Sequence, residues 1–147
     1  MKKSVIIISL ILLIIIVICV VGINVLFKTN KGIRQQNSQY EQYLNTEIYG
    51  TDVITLINKA ISNNESYNVN KDKKGLYINN NQNSIQIDLV MITDEETKET
   101  TIYKMEAISK VGITEFIKNF NTAKFECTKK EYHSKTGQIS YIELTQK

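Results

Sequence analysis

The chain has 147 residues, a formal net charge of +3, two cysteines, one histidine, and neither proline nor tryptophan. With Lys2 and Lys3 set aside, basic and acidic residues nearly balance, which excludes the strongly basic footprint of a nucleic-acid binder. Cys19 lies in an apolar stretch and Cys127 far downstream, so no intramolecular disulfide is expected.

Residues 5–27, VIIISLILLIIIVICVVGINVLF, carry no charge. As an α-helix they span about 34 Å, against a hydrocarbon core of roughly 30 Å. Only Ser9, Cys19, Gly22 and Asn24 interrupt Ile, Leu and Val. In lipid a helix is the local way to satisfy the backbone, so the β-branched content does not argue against one. The apolar run is too long for a cleaved signal peptide, and no small-residue cleavage site follows it. Ile18 precedes Cys19 where a lipoprotein signal needs a small side chain. The reading is a 1–4 tail and a transmembrane helix over 5–27, which contacts the bilayer. Lys2 and Lys3 lie before it, and Lys28, Lys31 and Arg34 after it. The basic count is close to a tie under the positive-inside rule. The short tail has the form of a signal anchor, which puts the following domain outside the cytoplasm.

Residues 28–50 read as a polar juxtamembrane stalk, helical and frayed around Gly32, with Tyr40, Tyr43, Leu44 and Ile48 on one face. The domain proper is expected over 51–147, about the right length for a single modest core. Val53, Ile54, Leu56, Ile57, Ala60 and Ile61 form one apolar stripe. They predict a helix over 52–63, capped by Thr51 or Asp52 and closing at Ser62-Asn63-Asn64. From Tyr67 the period becomes two. Residues 67–69 and 76–78 flank KDKKG as a short hairpin, and Asn79–Asn83 form a loop. SIQIDLVMI sets Ile85, Ile87, Leu89 and Met91 against Gln86 and Asp88, a half-buried strand. TTIYKMEAI alternates Tyr103, Met105 and Ala107 against Lys104 and Glu106, and is expected to return antiparallel to it. GITEFIKNFN predicts a second helix over 112–121, with Thr114 as a cap. AKFECTKKEY and QISYIELTQ are the last two strands, joined by a turn around Ser134–Gly137. The expected fold class is α+β: a transmembrane helix, then a small antiparallel sheet packed with two helices.

A search for chemistry returns no constellation. In a strand, Glu131, His133 and Lys135 share a face, so a carboxylate–imidazole pair is sterically open; the plainer expectation for His133 is a solvated hairpin residue. Cys127 lies roughly 20 Å along the strand from His133, outside hydrogen-bond reach, and Ser134 points to the other face. One His and one domain Cys do not make a zinc site. The run Asp94-Glu95-Glu96 with Glu99 lacks the spaced ligands and glycine of a calcium loop. No phosphate cradle or nucleophile elbow is present. Lys71, Lys73 and Lys74, and Lys129 and Lys130, read as turn and edge charges. The expected catalytic, cofactor-binding and metal residues are therefore none.

YEQYLNTEIYGTDVITLINKAISNN resembles the opening of small single-pass membrane proteins of Gram-positive-type bacteria with no assigned activity. The resemblance continues through NNQNSIQIDLVM, MEAISKVGITEFIKNFN and FECTKKEYHSKTGQIS. It implies a membrane-anchored, non-catalytic interaction or structural protein of the cell envelope, with an envelope protein or its own copies as partner and no nucleic acid. The turn before the first domain helix also resembles that of pilus or secretion-apparatus subunits, which gives a pilin-like alternative. That alternative departs from the pilin pattern: no Gly-Phe processing site precedes the apolar stretch and no glutamate lies near its start. A hydrolase using His133 is the remaining alternative.

Overall fold

The computed structural model describes residues 2–94 and 96–147, without the side chains of 2–6, 9, 29 and 30. It divides into two compact units, one through Gln35 and one from Gln36 to Lys147. The elements run α1 (Lys2–Leu44), β1 (Ile48–Tyr49), α2 (Gly50–Ser66), β2 (Gln86–Ile92), β3 (Thr100–Lys104), α3 (Met105–Val111), α4 (Ile113–Phe120), β4 (Lys124–Tyr132) and β5 (Ile139–Gln146).

In the first unit, α1 passes through Gly32 without interruption instead of fraying there. Its apolar side chains, from Ile7 and Ile8 through Phe27, are half or more exposed. By length and composition this helix is long and apolar enough to cross a membrane, with a mean hydropathy of 3.4 in its most apolar window. Asn24 returns its amide to the Val20 carbonyl at 2.8 Å, so its polar group is satisfied within the helix.

The second unit begins inside the stretch read as a stalk. Tyr40, Leu44 and Ile48 are buried in its core. Asn37 brackets the β4–β5 turn: its amide donates to Gly137 O at 2.9 Å and its oxygen accepts Ile139 N–H at 3.0 Å. The expected stalk tyrosines and Leu44 are thus the opening layer of the domain core.

The stripe on α2 is buried as its spacing predicts, with Val53, Leu56, Ile57 and Ala60 wholly inside. Its ends differ from expectation. Tyr49 is the first cap residue, and Asp52 reaches back to accept the Tyr49 N–H at 3.2 Å. The helix runs on through Ser66 because its true stop is Asn68, at φ +50°. Asn68 N–H donates to Glu65 O and Val69 N–H to Asn64 O, closing a Schellman turn with Val69 buried beneath it. Gly50 starts the helix against α4; any Cβ there would collide with the Phe120 carbonyl.

The expected hairpin at 67–78 reduces to a single bridge between Lys71 and Tyr77. Asp72 holds the turn by accepting the Lys74 and Leu76 N–H groups at 2.8 and 2.9 Å. The strand expected through Ala107 ends at Lys104, where α3 begins. Met105, Glu106 and Ile108 are buried, a helical spacing that a short alternation also satisfies. The Glu106 carboxylate, turned inward by the helix, accepts the Tyr77 N–H at 2.9 Å. Gly112, at φ +104°, separates α3 from α4 in a conformation that favours glycine. Its carbonyl accepts the Glu115 and Phe116 N–H groups, so Gly112 caps α4 where Thr114 was expected to.

The sheet order is β1-β4-β5-β2-β3. The β2–β3, β4–β5 and β1–β4 pairs are antiparallel, but β2 and β5 run parallel, so the sheet is mixed and the expected all-antiparallel sheet is corrected. The reason is burial. β5 is the most apolar late strand, and in the middle of the sheet it buries Ile139, Ile142 and Leu144 beside Ile87 and Leu89. On this core face Phe125, Ile142, Leu144, Leu89 and Met91 meet α2 and the Phe116 side of α4.

Candidate interaction surface

β3 is an edge strand, and all five of its residues are exposed. Thr93 N–H donates to Glu99 O at 2.8 Å at the mouth of the β2–β3 hairpin. The pairing register is Leu89 with Tyr103 and Met91 with Thr101. In an antiparallel pair hydrogen-bonded residues alternate, so Glu99, Thr101 and Tyr103 bond to β2. Thr100 and Ile102 therefore turn their N–H and C=O groups away from the sheet, as does the Lys104 N–H, while the Lys104 carbonyl opens α3 as its N-cap. The same alternation sends the Ile92 N–H to the β5 side, where it donates to the Gln146 side chain at 3.1 Å.

Beside this edge, on the core face, lies an open apolar cleft of about 440 Å³. Met91, Ile92 and Thr93 of β2 and Tyr103 of β3 form one wall. Ala107, Ile108 and Val111 of α3 and Glu115, Phe116, Asn119 and Phe120 of α4 form the other. The α3–α4 break at Gly112 opens the space: it turns the two short helices so that Val111 is left 70% exposed. Phe116 forms the floor, 5.2 Å from the Phe120 ring and 6.4 Å from that of Phe125. Glu115 and Asn119 supply the polar rim. The helical spacing of Phe116 and Phe120 puts them on one side of α4 but does not reveal the cleft, because the α3–α4 geometry creates it.

On the opposite face the sheet carries a polar network. Lys104 Nζ pairs with Asp88 at 2.6 Å, and the Tyr141 hydroxyl donates to Asp88 at 3.0 Å. Burial, reinforced by the Asp88 charge, pushes the Tyr141 hydroxyl well above the usual tyrosine range. Two further concavities are mixed in lining: one of about 510 Å³ between the end of α1 and α2, and one of about 310 Å³ where Leu76, Tyr77 and Ile87 meet Asp88, Lys104 and Glu106.

The residues considered for chemistry are dispersed. His133, expected to be solvated, is 2% exposed. Its Nε2 lies 2.7 Å from Ser84 O, an acceptor, so Nε2 carries the proton. The 133–138 turn closes on itself, with His133 N–H donating to Gln138 O and Gly137 N–H to His133 O. Glu131 turns instead to Lys129 at 2.8 Å, so the sterically open carboxylate–imidazole pair does not form. Cys127 is half-buried, and burial pushes its thiol up, away from the reactive thiolate. Glu95 lies outside the described residues; Asp94 spends its carboxylate on the Glu96 and Thr97 N–H groups. Lys71 stacks over Tyr77 and Lys130 over Tyr132. Among the described residues no cluster of three or more His, Cys, Asp or Glu could hold a metal ion.

The chain matches no family model, no curated protein and no solved structure.

Proposed function

We propose that this chain is a membrane-anchored, non-catalytic interaction protein of the cell envelope, with residues 36–147 outside the cytoplasm. The anchor reading rests on the uncharged run over 5–27 and its exposed apolar side chains. The observation that carries the interaction reading is the apolar cleft alongside an open strand edge. A concave apolar cleft with a few polar groups at its rim is the usual form of a binding site, and burying a side chain such as Val111 contributes about 1.5–3 kcal/mol.

A photo-crosslinking side chain at Val111 of the full-length chain, in native membranes, tests the reading. The expected result is a discrete covalent adduct, absent when the same probe replaces Asn58 on the polar face of α2. Equal labelling at both positions would sink it. Protease treatment of intact cells tests the orientation: the domain should be digested, and full protection would reverse the assignment.

A further inference from the structure

We infer that the partner at the β3 edge is a second copy of this chain, joined strand to strand about a two-fold axis through Ile102. This rests on the interaction reading above and names its partner.

Cross-strand neighbours in an antiparallel pair point to the same face, so a two-fold pairing must centre on one residue facing itself. The backbone groups of β3 without a strand partner are the N–H and C=O of Thr100 and Ile102 and the N–H of Lys104. Centred on Ile102, this row is self-complementary: Ile102 meets its own copy, and Thr100 meets Lys104 from each side. Such a junction makes about four backbone hydrogen bonds, two between the Ile102 copies and one from each Lys104 N–H to the facing Thr100 O.

The side chains fit this register on both faces. On the polar face Val90 pairs with Ile102 across β2 and β3. Joining two copies gives an unbroken apolar row, Val90–Ile102–Ile102–Val90, and covers an Ile102 that is 58% exposed in the single chain. Lys104, the one charged residue of the strand, faces Thr100 and keeps its Asp88 partner, so no like charges oppose one another. On the cleft face Tyr103 of one copy lies opposite Thr101 of the other. Thr101 in turn pairs with Met91 on the cleft wall. A small residue thus leaves room for the incoming ring to reach over it toward Met91, and the symmetry repeats the contact. A natural open edge usually carries a bulge, a proline, a lysine or an inward charge against such pairing, and the lysine of β3, Lys104, is already held by Asp88. β3 has no proline, and its pairing with β2 shows no register shift.

Cysteine crosslinking in membranes tests this on the full-length chain with Cys19→Ala and Cys127→Ala. Facing residues of a hydrogen-bonded pair lie about 5.5 Å apart at Cα, within disulfide reach, whereas residues displaced by two along the strand exceed about 7 Å. Mild oxidation of the Ile102→Cys variant should therefore give a disulfide dimer at least tenfold above that of Tyr103→Cys. A second measurement needs no cysteine change: the otherwise unaltered chain should be dimeric in lipid nanodiscs, and Ile102→Lys or Ile102→Pro should make it monomeric. Proline at 102 removes an outward N–H and leaves the β2 ladder intact. A monomeric unaltered chain, or equal dimer yields at 102 and 103, overturns the self-pairing. If the Val111 probe still captures a different envelope protein, the binding reading survives that result; if it captures nothing, both fall.

Discussion

Asn64 shows how much one polar side chain decides. It is fully buried, its amide donates to Ile85 O at 2.7 Å, and its oxygen accepts the Ile85 N–H at 2.8 Å. The side chain thereby pairs with the residue leading into β2 as a neighbouring strand would, and ties α2 to the sheet. In the sequence Asn64 reads only as a helix stop, since a bidentate bracket to a residue 21 positions away has no local signature. Asn64→Ala strands both Ile85 groups, and chemical denaturation should show a loss of about 2–4 kcal/mol. Asn64→Asp should be no better, because it removes the donor and buries a charge. Tyr40 makes a second residue-scale prediction. Burial raises its hydroxyl from the ordinary 10.0 to about 12. The folded state therefore holds this proton more tightly than the unfolded chain. Its contribution is intact below pH 10 and is lost as pH rises toward 12. Alkaline titration should show late tyrosinate absorbance, and Tyr40→Phe should flatten the fall in stability over that window.

At the scale of elements, the helices α3 and α4 perform two separable tasks. Phe116 is buried against Phe125 under the sheet, while Val111, one turn beyond Ile108, stands in solvent at the cleft. Phe116→Ala should cost about 3–5 kcal/mol by opening a core cavity. Val111→Ser should stay within about 0.5 kcal/mol of the parent and yet abolish partner capture by a photo-crosslinking side chain placed at Glu115 on the cleft rim. Urea unfolding and the membrane crosslink, run side by side, separate the two effects. The α2 stripe and the alternation over 85–91 were legible in the sequence because burial there follows one period along one element. The 100–107 segment was not. Tyr103, Met105 and Ala107 alternate as a strand would, but Met105 and Ile108 are buried on a helix, and Glu106 turns inward to hold Tyr77. His133 likewise looked like a hairpin residue facing water, and it is buried because a distant loop brings Ser84 O to its ring.

For the whole molecule, the proposed anchor predicts a sharp response to charge. Ile15→Arg places a cation near the middle of the 5–27 run, where insertion scales assign a penalty of about 2.5–3.5 kcal/mol. Fractionation should show a substantial share of this variant leaving the membrane pellet, while Gln39→Arg, in the polar end of α1, should not shift it. Composition and period alone determined the apolar helix, the α+β character and the apolar faces of α2 and β2, since each depends on residues close together along the chain. Only tertiary structure decided that Tyr40 and Leu44 belong to the domain core, that β5 enters the sheet parallel to β2, and that β3 stands at an open edge beside a cleft. Those outcomes depend on which distant surfaces bury one another. A chain read residue by residue carries the apolar faces but not the partners they choose.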